Sequence, residues 1–256
     1  MSRQAVTPEP ESEPADAGSA VNFEPIAQLR AHEYVAEQLR RHIGLGLVAP
    51  GDAFPPERDL ARMFGVGRAT IQHALRLLEA DRLVESRRGR AGGTFVIGPP
   101  RDEQGIARLL LDLRLNKPKI EEALIFRRVV EQAAVQLAAE NAEPEELEAI
   151  EASTVEMRNA PTELEFHRHD TDFHLQIARA SHNSLLAEGV ERSRLLLNDA
   201  ILAQPESDMW HERIHREHEN ILASLQARDA KRAMRAVRTH LEHSEQGIRA
   251  VIAALR

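Results

Sequence analysis

Cysteine is absent from the 256 residues. Disulfides, zinc fingers, iron–sulfur clusters and thiol nucleophiles are thereby excluded, and any bound metal has to be held by His, Asp or Glu. Long apolar runs are missing too. No stretch approaches the roughly 20 apolar residues that a membrane helix needs, and the N-terminus has no basic region followed by an apolar run. The expectation is a cytoplasmic protein with no membrane partner. Strand candidates are scarce, and none lies beyond residue 100.

What is present suits two domains better than one, since 256 residues with 42% hydrophobic content can build a core in each. The net charge of -8, taken over the whole chain, argues against nucleic acid. Taken by segment, residues 1–25 carry -4, residues 26–98 carry +3 and residues 99–256 carry -7. Only the middle segment is basic, as a DNA-contacting module should be.

Residues 1–25 are rich in Pro, Glu, Ser and Ala with few large apolar groups. They cannot offset the entropy of ordering and read as a disordered tail. Apolar spacing predicts a helix from Ile26 to about Ile43, a second from about Glu57 to Phe64 ending at Gly65, and a third from Arg68 to about Ala80. Two short helices joined by a tight Gly turn form a helix-turn-helix. Residues 83–86 and 94–97 then read as strands around a basic, Gly-rich tip, which makes a wing. Gly98-Pro99-Pro100 marks a boundary. Beyond it, helical patterns cover 103–115, 119–141, 144–158, 162–180, 184–203, 208–227 and 230–254, with a capping box at Thr162 and Glu165. The fold class is mainly α: a winged helix-turn-helix over 26–98, a linker and connecting helix over 99–118, and an all-α helical bundle over 119–256.

Base reading requires the second helix of the motif to enter the major groove by its first residues, which here are Arg68, Ala69, Thr70 and Gln72. An Arg can fork onto guanine and a Gln can pair with adenine. Arg58 on the preceding helix, and Arg87, Arg88 and Arg90 on the wing, are placed to meet phosphates or a groove.

In the second half, nine of the twelve histidines follow residue 160. Asp170 and His174 are four apart on one helix, so they share a face and can share an ion. Two features compete to complete such a site. His211-Glu212-Arg213-Ile214-His215 fits H-E-x-x-H, the zinc-protease pattern, and would make the protein a metal-dependent hydrolase. His218 and His240, on the last two helices, could instead close on Asp170 and His174 across the bundle.

Several segments resemble a known family. Pro50 to Ala61, Phe64 to Leu75 and Gly89 to Val96, the last with Gly92 in the wing, are similar to the winged helix of GntR-type transcription regulators. Gly67 and Gln72 depart from that pattern, which commonly has Ser or Thr and Arg at those places. Phe126 to Glu131, Asp170 to His174 with Ser181 to Asn183, Glu217 to Ile221, and Ala233-Met234 with His240-Leu241 resemble the FCD effector domain of FadR-type members. The resemblance implies operator contacts by Arg58, Arg68 and the wing glycines. It also implies that Asp170, His174, His218 and His240 ligate a divalent transition metal, zinc first, with nickel, manganese or iron as alternatives. H-E-x-x-H is then a coincidence. A small organic acid would reach the ion, forked by Arg127, although Arg127 could simply pair with Glu131, or Arg128 take its place. Asn183 either lines the pocket or caps the next helix. His167, His169, His182 and His243 read as solvated. The implied protein is a homodimeric repressor on a pseudo-palindromic double-stranded DNA operator, released by the acid. A purely structural metal is the remaining alternative.

Overall fold

The computed structural model describes residues 30–89, 92–97, 103–204 and 207–254. The expected tail, the first residues of the first helix, Arg90 and Gly98 to Pro100 lie outside them.

Helical spacing of apolar residues builds α1 (Ala31–Gly44), with Val35, Ala36 and Leu39 buried. α2 (Glu57–Phe64) ends at Gly65, whose φ of 63° is the left-handed conformation that glycine adopts without a Cβ penalty. α3 (Arg68–Ala80) follows from an extended Gly67 and buries Ile71, Ala74, Leu75 and Leu78. That i, i+3, i+4, i+7 set commits one face inward, so Arg68, Ala69 and Gln72 are exposed. β1 (Val84–Arg87) and β2 (Gly93–Val96) pair antiparallel with Val84 opposite Val96. Both strands sit one residue nearer the wing tip than expected, because the ladder extends to the Arg87–Gly93 pair. A bridge from Ala53 to Phe95 ties the loop after α1 to the same sheet.

From residue 103 onward the described residues contain helices and no strand: α4 (Glu103–Leu115), α5 (Lys117–Asn141), α6 (Pro144–Arg158), α7 (Glu163–Ala180), α8 (Ser184–Leu202), α9 (Asp208–Gln226) and α10 (Ala230–Ala254). Among the described residues, none of these is long and apolar enough to cross a membrane. α5 begins two residues before the expected 119, taking Pro118 into its first turn, where a missing N–H costs nothing. Thr162 caps α7 by accepting from the Glu165 amide, and Ser207 caps α9 by accepting from the Trp210 amide.

α5 runs between α10, α8 and α7, while α6 packs on α7 and α9. The winged helix has its own core of Val35, Leu39, Phe54, Leu60, Ile71, Leu78 and Val96. The bundle core gathers Val135, Ile150, Phe173, Ile221, Leu225 and Leu241. One further cluster crosses between the two, with buried Leu45 and partly buried Leu47 from the N-terminal part.

Candidate metal centre and nucleic-acid interface

The N-termini of α2 and α3 and the wing meet around an open concavity lined by Arg58, Arg68, Arg87 and Gly92. Arg58 and Arg68 are well exposed, at 82% and 67% of their side chains. Glu57 lies between them and holds two of the expected reading residues: Gln72 Nε2 donates to its Oε2 at 2.9 Å, and Arg68 lies 3.6 Å from the same oxygen. Ala69 is exposed and Thr70 half-buried beside them. Arg87 stacks its guanidinium 4.3 Å above the Phe95 ring and pairs with Glu85. Arg88 is exposed, and Arg90 lies outside the described residues. Gly92 has a steric reason to be glycine, since a Cβ there would lie 2.4 Å from the Arg87 carbonyl oxygen. The arrangement is three guanidinium groups from three elements facing one groove, suited to a phosphate backbone and adjacent base edges.

The second site is buried. α7 supplies Asp170 and His174 one turn apart, α9 supplies His218 and α10 supplies His240. One ligand atom from each lies within 4.8 Å of the others. His218 Nε2 is 3.4 Å from Asp170 Oδ1, and His240 Nε2 is 3.2 Å from His174 Nε2. All four are buried.

Carboxylates behind the ring set its polarity. His174 Nδ1 lies 2.7 Å from Glu131 Oε2, and His240 Nδ1 lies 2.9 Å from Glu217 Oε2. With each Nδ1–H donated outward, both Nε2 lone pairs are left for an ion, which is the usual arrangement behind metal-bound histidine. His218 stacks on Phe173 at 4.1 Å, and neither of its ring nitrogens has a hydrogen-bond partner. Burial lowers the His174 pKa to about 4 despite Glu131, and burial with His240 alongside holds His218 well below the usual histidine value. These two imidazoles are neutral near pH 7, as a ligand must be. Burial pushes the Asp170 carboxyl up, but the Arg194 guanidinium beside it outweighs burial and holds it well below the usual carboxylate range. Three imidazoles and one carboxylate, with orphaned lone pairs among them, fit a divalent transition metal.

Arg194 is the main addition that the sequence did not reveal. It is buried on α8, and its NH2 donates to Asp170 Oδ2 at 2.5 Å and to Thr171 Oγ1 at 3.0 Å. Its partners lie more than twenty residues away on another helix, so no local pattern marks it. Glu131 and Glu217 as backing carboxylates were likewise unmarked, although both stand inside the segments that carried the resemblance.

A cavity of about 20 Å³ adjoins the cluster, and Asp170, His240, Arg127, Arg213, Gln204 and Ser244 are among its lining. Arg127 is buried, donating from Nε to Glu131 at 2.7 Å and from NH1 to Ser244 at 3.0 Å. It therefore makes the helix pair with Glu131 and also faces the cavity. Arg128 is half-exposed, 3.8 Å from Glu245. Asn183 is not at the cavity: it is exposed and caps α8 by accepting from the Leu186 amide. The expectation that it lines the pocket is corrected, because the α7–α8 turn needs a cap there. His167 is also corrected, being buried at the cavity rather than solvated. His169 and His243 are half-buried beside Glu156 and Glu217, and His182 is exposed beside Glu146. The rings of His211 and His215 lie against Phe166 at 4.5 and 5.5 Å, with Glu212 exposed. Neither joins the four-residue group, which is the metal-capable cluster among the described residues.

Residues 31–96 match the model of bacterial regulatory proteins of the gntR family, and residues 122–243 match that of the FCD domain. The chain is 31% identical over 230 residues to the Uxu operon transcriptional regulator of Escherichia coli, covering 85% of this chain and 86% of that one. It is 28% identical over 236 residues to the HTH-type transcriptional repressor NanR of Klebsiella aerogenes, covering 88% of each. Among solved structures, E. coli McbR/YncC matches with a TM-score of 0.50 at 17% identity, covering 90% of this chain and all of that one, and this likeness shows the fold. The family is one of regulators rather than enzymes, which sets aside the hydrolase alternative for His211, Glu212 and His215. With a winged helix that gathers arginines on one groove, and an FCD bundle that gathers one aspartate and three histidines at its centre, the chain belongs to the GntR family of DNA-binding transcriptional regulators.

Proposed function

We propose that this regulator is a cytoplasmic repressor that binds a pseudo-palindromic operator as a homodimer and leaves it when a small organic acid binds at a metal in the FCD domain. The observation that carries the reading is the convergence of Asp170, His174, His218 and His240 beside a cavity that Arg127 also lines. Repression follows the name of the similar NanR protein.

A divalent transition metal held by those four side chains would supply a Lewis-acidic anchor for a carboxylate. Glu131 and Glu217 orient His174 and His240 for that task, and Arg194 holds Asp170 from its other oxygen. Arg127 offers a guanidinium edge to the same space, suited to forked binding of a carboxylate. The cavity has room for about one or two waters, so an acid enters only as lining side chains move. In the winged helix, Arg68, Ala69, Thr70 and Gln72 read bases, while Arg58, Arg87, Arg88 and Arg90 meet phosphates or a groove.

Dimerisation has a candidate face. The adjacent helices α5 and α8 leave Ile125, Phe126, Val129, Leu185 and Leu196 exposed, and a two-fold pairing of such a face would place two DNA heads together.

The test is selection of the operator from random DNA, followed by metabolite screening for acids that release it. Release by an organic acid from wild type, lost in Asp170→Ala with operator binding retained, supports the reading. Release undiminished in Asp170→Ala refutes it.

A further inference from the structure

Leu45, just beyond α1, is buried to 3% although it belongs to the DNA-binding half. It sits against the bundle, in a cluster with Val130 of α5, Leu175 of α7 and partly buried Leu195 of α8. The cluster also holds Ala134, Ala178 and Val190, and three of its members, Val130, Leu175 and Leu195, are next in sequence to a residue of the metal centre. Glu131, which backs His174, follows Val130. His174 precedes Leu175. Arg194, which holds Asp170, precedes Leu195. Three helices thus face the metal centre with one residue and the Leu45 seat with its neighbour.

Charged contacts and backbone bonds extend the seat in both directions. Arg41 pairs with Glu191 of α8 at 3.2 Å, and Arg168 of α7, two residues before Asp170, pairs with Asp52 at 3.3 Å. Asp52 in turn accepts from the Val96 amide, Gly51 donates to the Val96 carbonyl and Phe54 donates to the Thr94 carbonyl. The loop from Leu45 to Phe54 is therefore anchored at one end to the helices that carry the metal site and at the other to strand β2 of the wing.

We infer that Leu45 is a positioning residue through which occupancy of the metal centre sets the placement of the wing. This inference rests on the metal reading above and names the path it uses. A packed cluster does not deform continuously, so a small shift of α7 or α8 is passed to what is seated on them. The ligands come from α7, α9 and α10, so an ion ties α7 in place and stiffens one wall of the seat. By linkage, the seat and the ion must favour each other equally.

The test uses the full-length protein and zinc alone. Zinc affinity is measured by competition with a chromophoric chelator for wild type, Leu45→Ala and Leu45→Met, and amide hydrogen exchange is followed in wild type with and without zinc. Leu45 touches no ligand. Leu45→Ala is expected to weaken zinc binding about fivefold or more, in the usual range of coupling between sites, and Leu45→Met to restore it to within about twofold, as volume-conserving swaps are well tolerated. Zinc is expected to slow exchange at the Leu45, Leu47 and Val48 amides. If wild type binds zinc, yet Leu45→Ala binds it equally well and those amides are unaffected, the coupling is overturned while the metal reading stands. If Leu45→Ala does not fold, exchange in wild type decides alone. If wild type binds no zinc, the metal reading fails and the coupling falls with it.

Discussion

Acidification of the metal-free protein should destabilise it well above the pH at which exposed carboxylates titrate. His174 has a folded pKa of about 4 against an unfolded value near 6.5. Between those values the unfolded chain binds the proton and the folded chain does not, so stability falls as pH falls. The contribution is fully present above about pH 6.5 and is lost progressively toward pH 4. At pH 5 the loss from His174 alone is about 2 kcal/mol, of about 3 kcal/mol available in the limit. His218, held low by burial, acts in the same direction, whereas the depressed Glu131 and Asp170 carboxyls matter only further down the scale. For a chain of this size the His174 loss alone corresponds to a Tm lowered by about 4–8 °C between pH 7.5 and pH 5. Thermal melts of chelator-treated protein at both pH values measure it, with His174→Asn as the variant whose slope should be shallower. Equal stability at the two pH values, or an unchanged slope in the variant, would refute the buried neutral state assigned to His174.

Glu131→Gln keeps the shape but weakens the polarisation of His174, so zinc affinity should fall about 10- to 100-fold by chelator competition. Unchanged affinity would detach Glu131 from the centre. Arg68→Ala should cost about 1–3 kcal/mol of operator binding at one base position, whereas Arg58→Ala should weaken all sequences alike and reduce the salt slope by about 1; binding titrations across mutated operators and salt concentrations separate them. Gly92→Ala should disturb the wing, because its Cβ has no space beside the Arg87 carbonyl. Circular dichroism should show native helix content while operator affinity drops.

The helices were legible because their apolar periodicity is a local property, and Gly65, Pro144 and Asn183 punctuate them. Asn183 shows where that legibility ended. A residue suited to capping and to ligand binding cannot be assigned until the turn around it is placed, and the turn used it as a cap. The Asp170–His174 pair was visible as i, i+4, but its closure with His218 and His240 depends on α9 and α10 docking against α7, which no local spacing encodes. Arg194 and the inward turn of His167 are of the same kind: their partners are set by packing between helices. In the winged helix, Gln72, expected to pair with a base, donates to Glu57, a contact that would have to open for it to do so.

The central claim is that an organic acid acts on operator binding through the metal centre. It is tested most directly by titrating an acid that releases the operator against chelator-treated protein and against the same protein reloaded with zinc. Release by the zinc-loaded protein, absent after chelation and restored on reloading, is the predicted result. Equal release with and without the ion would contradict the account and leave the Asp170, His174, His218 and His240 cluster a structural role alone.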